Sequence, residues 1–129
     1  MRRIAPIAVA LAAGALAAGP ATAGDGPNQI LATGDETSET EMTLILSRQK
    51  IDPGRAIVQF INSGEDDHDL QIRRKGAENV KEQTGIVHGG EQEEIELRLR
   101  KKKRYELWCG LTDHRELGME AELKVRKKG

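Results

Sequence analysis

The chain has 129 residues, with 20 Lys and Arg against 21 Asp and Glu and a formal net charge of −1. A balance this even argues against nucleic acid as the main partner, and the length leaves room for one small domain. A single cysteine excludes an internal disulfide, so stability has to come from packing or from a bound ion.

Arg2 and Arg3 precede an apolar run over residues 4–18, and Ala21-Thr22-Ala23 is a small-x-small cleavage site. This predicts a secretory signal peptide over 1–23, and so a periplasmic or secreted protein. The run falls short of the roughly 20 residues of a membrane span. No second run of that kind follows, so no stable membrane span is expected after cleavage. Removing residues 1–23 leaves 106 residues, and losing Arg2 and Arg3 takes the net charge from −1 to −3. Residues 24–40 are rich in Gly, Asp, Glu, Ser and Thr. They predict a flexible mature N-terminus with at most a short strand near 29–32.

Residues 41–129 read as the folded domain. The first strand is expected over 41–47, followed by a turn at Asp52-Pro53-Gly54, where Pro sets φ and Gly tolerates positive φ. A second strand over 56–62 carries Ile57, Val58, Phe60 and Ile61. His68, Leu70 and Ile72 then alternate with polar residues, the period-2 pattern of a strand with one buried face. Residues 77–83 have the composition of a short helix but no apolar stripe. Ile95, Leu97 and Leu99 alternate again, as do Tyr105, Leu107 and Cys109 across the basic turn 100–103. The final strand places Met119, Ala121, Leu123 and Val125 on one face. Short strands separated by turn signals predict an all-β sandwich. With one Phe, one Tyr and one Trp, its core is largely aliphatic.

Acidic runs at 65–67 and 91–96 and basic runs at 73–75, 98–104 and 126–128 segregate the charge. Solvated strand ends and turns account for such runs, and they also provide steering toward a charged partner.

The chemistry concentrates between the last two strands, where Cys109, His114 and Met119 are spaced C-x4-H-x4-M. A thiolate, an imidazole and a thioether form a soft set suited to copper, whereas zinc sites rarely recruit Met. His68, at the head of a separate strand, offers a second imidazole. A trigonal His2Cys set with a weak axial Met is an electron-transfer geometry, because it serves both copper oxidation states. His88, the remaining histidine, lies in a turn-like Val-His-Gly-Gly segment and is expected to be exposed. Trp108 is expected on the strand face opposite Cys109.

Phe60-Ile-Asn62-Ser-Gly64 before His68, and Tyr105-Glu-Leu-Trp-Cys109 before His114 and Met119, resemble the cupredoxins, the plastocyanin- and azurin-like blue-copper proteins. The resemblance covers residues 42–125 and implies a Greek-key β-sandwich. It also implies one copper ion held by His68, Cys109, His114 and Met119, with the first His buried and His114 as the exit for electrons. Two positions depart from the family pattern. Thr112-Asp113 stands where Pro-Gly often precedes the loop His, and Asp69 where Asn often follows the first. An ionised carboxylate can accept but not donate the bonds such an Asn makes.

The function expected is a monomeric one-electron carrier between redox partner proteins. A module for copper storage, delivery or sensing is the alternative, and a metal-free structural sandwich a third. An enzyme is not expected. There is no Ser-His-Asp, phosphate-loop or HExxH motif, and three histidines cannot furnish the further centres of copper oxidases or nitrite reductases once two are used.

Overall fold

A computed structural model of the protein describes residues 28–128; the signal peptide expected over 1–23 lies outside them. The chain forms β1 (Asn28–Ser38), β2 (Glu41–Leu46), β3 (Lys50–Ile51), β4 (Gly54–Asn62), β5 (Gln71–Arg74), β6 (Glu82–Gln83), β7 (Gln92–Leu99), β8 (Arg104–Trp108) and β9 (Glu120–Val125). No helical element occurs among the described residues. The strands make two sheets, ordered β2-β1-β4-β7 and β3-β9-β8-β5-β6. The chain crosses between them repeatedly, in the Greek-key sandwich that the cupredoxin resemblance implies.

Alternation dictates the packing. In β4, Ala56, Val58, Phe60 and Asn62 are buried, and in β7 Ile95, Leu97 and Leu99 are buried while Glu94, Glu96 and Arg98 face water. Opposite them lie Leu70, Ile72, Tyr105, Leu107, Leu123 and Val125, so both inner faces fuse into one core. Phe60 is fully buried, as is the ring of Tyr105. The Tyr105 hydroxyl escapes the cost of an unmet polar group by accepting from the Arg100 amide at 2.9 Å.

Two expectations are corrected. Residues 24–40 were expected to be flexible, yet 28–38 form the long strand β1, inside the first sheet between β2 and β4. Its apolar signal is weak because the inward row runs Ile30, Ala32 and Gly34 and ends where only a glycine fits. A Cβ on Gly34 would collide with the end of Met119 and lie 3.2 Å from the Phe60 ring. The pairing of β1 with β4 is also parallel, from Asn28 opposite Ala56 to Gly34 opposite Asn62, so no hairpin turn advertises it. Residues 77–83 hold no helix; only Glu82–Gln83 is regular, as β6 at a sheet edge beside β5.

Candidate metal centre

Each site residue is placed by backbone pairing at one end of the sandwich. His68 sits just before β5 and pairs with Val87 in a lone bridge, its N–H donating to the Val87 carbonyl at 3.1 Å and its carbonyl accepting at 2.7 Å. Cys109 follows directly on β8. Between Cys109 and β9 the chain makes one helical turn, in which the Leu117 amide donates to the Asp113 and His114 carbonyls. Gly118 then donates to Arg115 and Met119 to His114, at 3.0 and 3.1 Å. These paired bonds form a Schellman motif, with Gly118 at φ 117 supplying the positive angle it needs. The Cys109 amide donates to the Met119 carbonyl at 3.1 Å, closing the loop. The four-residue spacings are therefore those of a one-turn cap that returns Met119 beside His114 and Cys109.

Three donors converge. The Nδ1 atoms of His68 and His114 lie 3.2 Å apart, and Cys109 Sγ is 3.9 Å from the first and 3.5 Å from the second. The point equidistant from these atoms lies about 2.1 Å from each, within the roughly 2.0–2.3 Å of nitrogen and thiolate bonds to a late first-row metal. His68, Cys109 and Met119 are buried, and His114 is half-buried, so the site has a single imidazole at its surface. The donors thus fit a small soft-liganded ion on geometry as well as on chemistry.

The surroundings hold the donors in place. Asp69 N–H donates to Cys109 Sγ at 3.5 Å, while its carboxylate accepts from the Gly110 amide at 2.6 Å and the Gln71 side chain at 3.3 Å. The departure from Asn at 69 therefore leaves the two ligand segments tied, because the bond required is one a carboxylate can accept. Asn62, fully buried, donates to the Asp66 and Val87 carbonyls at 2.7 and 2.9 Å and accepts from the Gly64 amide at 2.9 Å, shaping the turn into His68. Trp108 is buried under two guanidiniums, Arg73 and Arg115, at 5.0 and 4.6 Å from the ring centroid. His88 stands apart from the donor cluster, exposed and bonded to Asp67 at 2.7 Å.

Sequence reasoning missed Glu36. Its carboxylate lies 2.6 Å from His68 Nε2 and accepts from the Glu65 and Asp66 amides at 2.9 and 3.3 Å. Burial pushes the carboxyl up, but the Glu65 amide, the His68 ring and the Asp66 amide together outweigh it and hold the group below the usual carboxylate range. One signal was present: Ile30, Ala32, Gly34 and Glu36 fall on one face of a period-2 strand, which puts an acid at the end of an inward row.

Burial pushes the Cys109 thiol up, against the amides of Asp69 and Leu111, and the Asp69 carboxylate adds to the rise. At neutral pH the metal-free site therefore holds a protonated thiol, and a thiolate ligand has to release that proton. Uptake of one metal ion is expected to release about one proton from Cys109, with apparent affinity rising ~10-fold per pH unit below the thiol pKa. Titration in weakly buffered solution with a pH indicator measures this; uptake without proton release would contradict a thiolate ligand.

No protein-family model matches the sequence, and a search of curated proteins finds no match. Solved structures do match. Reduced auracyanin from Roseiflexus castenholzii superposes with a TM-score of 0.58 at 17% identity, covering 78% of this chain and 98% of the other. The chain has the cupredoxin fold. Auracyanin A of Chloroflexus aurantiacus, described as a blue copper protein, gives 0.57 at 14% identity over 77% and 100%. The copper-containing nitrite reductase of Thermus scotoductus gives 0.59 at 15% identity, but this chain spans only 32% of it. In cupredoxin terms the donor cluster occupies the end of the sandwich where β8 leads through a loop into β9.

Proposed function

We propose that the protein is an exported one-electron carrier that holds a single copper ion through His68, Cys109, His114 and Met119. The observation that carries this is the triangle of two Nδ1 atoms and one Sγ, sized for one ion and enclosed except at His114. Bound copper supplies a Cu(I)/Cu(II) couple. The protein's part is rigidity, because donors fixed by β8, the Schellman turn and the Asp69 bonds change little between oxidation states. The half-buried ring of His114 is the natural contact for a partner, and the flanking Asp113, Arg115 and Glu116 give that rim a mixed charge. Such a rim suits short-lived docking with a redox protein, where charge sets orientation and rate more than affinity. Auracyanin A, whose whole length this chain matches, is described as a blue copper protein and supports the reading.

The test is the visible spectrum of residues 24–129 with one equivalent of Cu(II). An intense thiolate-to-copper band that bleaches with a mild reductant and returns on oxidation is expected. Its absence from folded, reduced protein refutes the carrier, and a band lost irreversibly as copper passes to an acceptor favours copper delivery instead. In the same assay Met119→Leu is expected to keep a coloured site and raise the reduction potential, since loss of a weak axial donor disfavours Cu(II). A lowered potential would remove Met119 from the ligand set.

A further inference from the structure

Among the described residues, Glu36 is the one carboxylate bonded to a donor ring, and its seat is built around it. The side chain ends the inward row of β1, where it is 15% exposed, and His68 is not exposed at all. The Glu65 amide donates to Oε1 and the Asp66 amide to Oε2, so both oxygens are held by the segment that leads into His68. Gly64 leaves the room: a Cβ there would collide with the Glu36 carboxylate. An ionised carboxylate only accepts hydrogen bonds, so the 2.6 Å contact requires the proton of His68 to sit on Nε2. That leaves the Nδ1 lone pair free, and Nδ1 is the atom that faces Cys109 Sγ and His114 Nδ1.

We infer that Glu36 is a positioning residue that fixes the tautomer of His68 and places a permanent negative charge behind the metal, favouring Cu(II) over Cu(I). The inference rests on the copper reading above for its redox half. The tautomer half requires only that the site binds a metal through His68. A carboxylate behind a histidine ligand makes the imidazole a stronger donor, and removing such a partner typically costs 10–100-fold in metal affinity. The added negative charge stabilises the more positive oxidation state, so losing it raises the reduction potential.

Two variants separate charge from hydrogen bonding. Glu36→Gln keeps an oxygen acceptor of the same reach and removes the charge. It is expected to retain the blue band and shift the Cu(II) to Cu(I) preference about tenfold toward Cu(I), a rise of ~59 mV for one electron. Glu36→Leu removes the acceptor as well and is expected to weaken Zn(II) binding at least ~10-fold, read by chelator competition on the folded chain, while Glu36→Gln weakens it less. A Glu36→Gln potential within threefold of the parent preference, with the band intact, overturns the charge role. Zn(II) affinity unchanged in Glu36→Leu overturns the positioning role. If the parent lacks a blue band but its Zn(II) affinity falls in Glu36→Leu, the positioning of His68 stands and the electron-carrier reading is what fails.

Discussion

Cys109→Ser is expected to abolish the intense visible band altogether and to weaken Cu(II) binding by more than ~100-fold. The band is a thiolate-to-metal charge transfer, and sulfur is its only source in this chain, since Cys109 is the sole cysteine. The affinity estimate is bounded from below: loss of an outer-sphere partner already costs about 10–100-fold, and a direct ligand costs more. The serine hydroxyl fills the same buried position, still able to accept from the Asp69 amide, so the metal-free fold should survive. It also abolishes the proton release tied to the Cys109 thiol, which links the optical and titration results to one atom. Absorption and calorimetric titrations of the folded variant measure both effects. An unchanged spectrum would refute Cys109 as a ligand.

The donor set is legible in the sequence because it depends on residue type and local spacing. C-x4-H-x4-M encodes a single helical turn closed by Gly118, and this geometry is local to the eleven residues 109–119. The strands that alternate cleanly, β7 above all, are legible for the same reason. What stays hidden depends on residues far apart in the chain. β1 looks polar because Gly34 leaves room for Met119 and Phe60, so its sequence carries little hydrophobic signal. Its partner β4 is parallel and about 28 residues on, beyond any hairpin pattern. Glu36 inherits that obscurity: an acid in a polar stretch reads as solvated until β1 is known to be a strand and His68 its neighbour. Asp69 is the converse case. Compared with the family's Asn it looks like a lost tether, and only the direction of the Gly110 bond shows that a carboxylate serves there.

Gly118→Ala is the backbone counterpart of Cys109→Ser and is expected to lower stability by at least ~2 kcal/mol, the scale of one residue forced into a glycine-only conformation. Two independent causes act at this position. The φ of 117 lies where side chains are rarely tolerated, and a Cβ would stand 2.5 Å from the Met42 carbonyl oxygen. That oxygen belongs to the backbone of β2, so it cannot swing aside as a side chain would; the Leu117 carbonyl also accepts from the Met42 amide at 2.9 Å, pinning the turn to β2. At about 4–8 °C per kcal/mol for a domain of this size, the midpoint of thermal unfolding should fall by roughly 8–16 °C. The loss should also reach the metal. Gly118 is the residue that lets Met119 bond back to His114, and relaxing the clash means opening that bond or shifting the turn. The copper-loaded variant is therefore expected to show a changed visible spectrum and potential, as well as a lower midpoint. Glu116→Ala, at an exposed position two residues earlier in the same turn, should change neither. Thermal unfolding followed by circular dichroism, with and without copper, measures both effects. A Gly118→Ala protein as stable as the parent would show that the turn does not require a positive φ, and the account of the ligand spacing would fall with it.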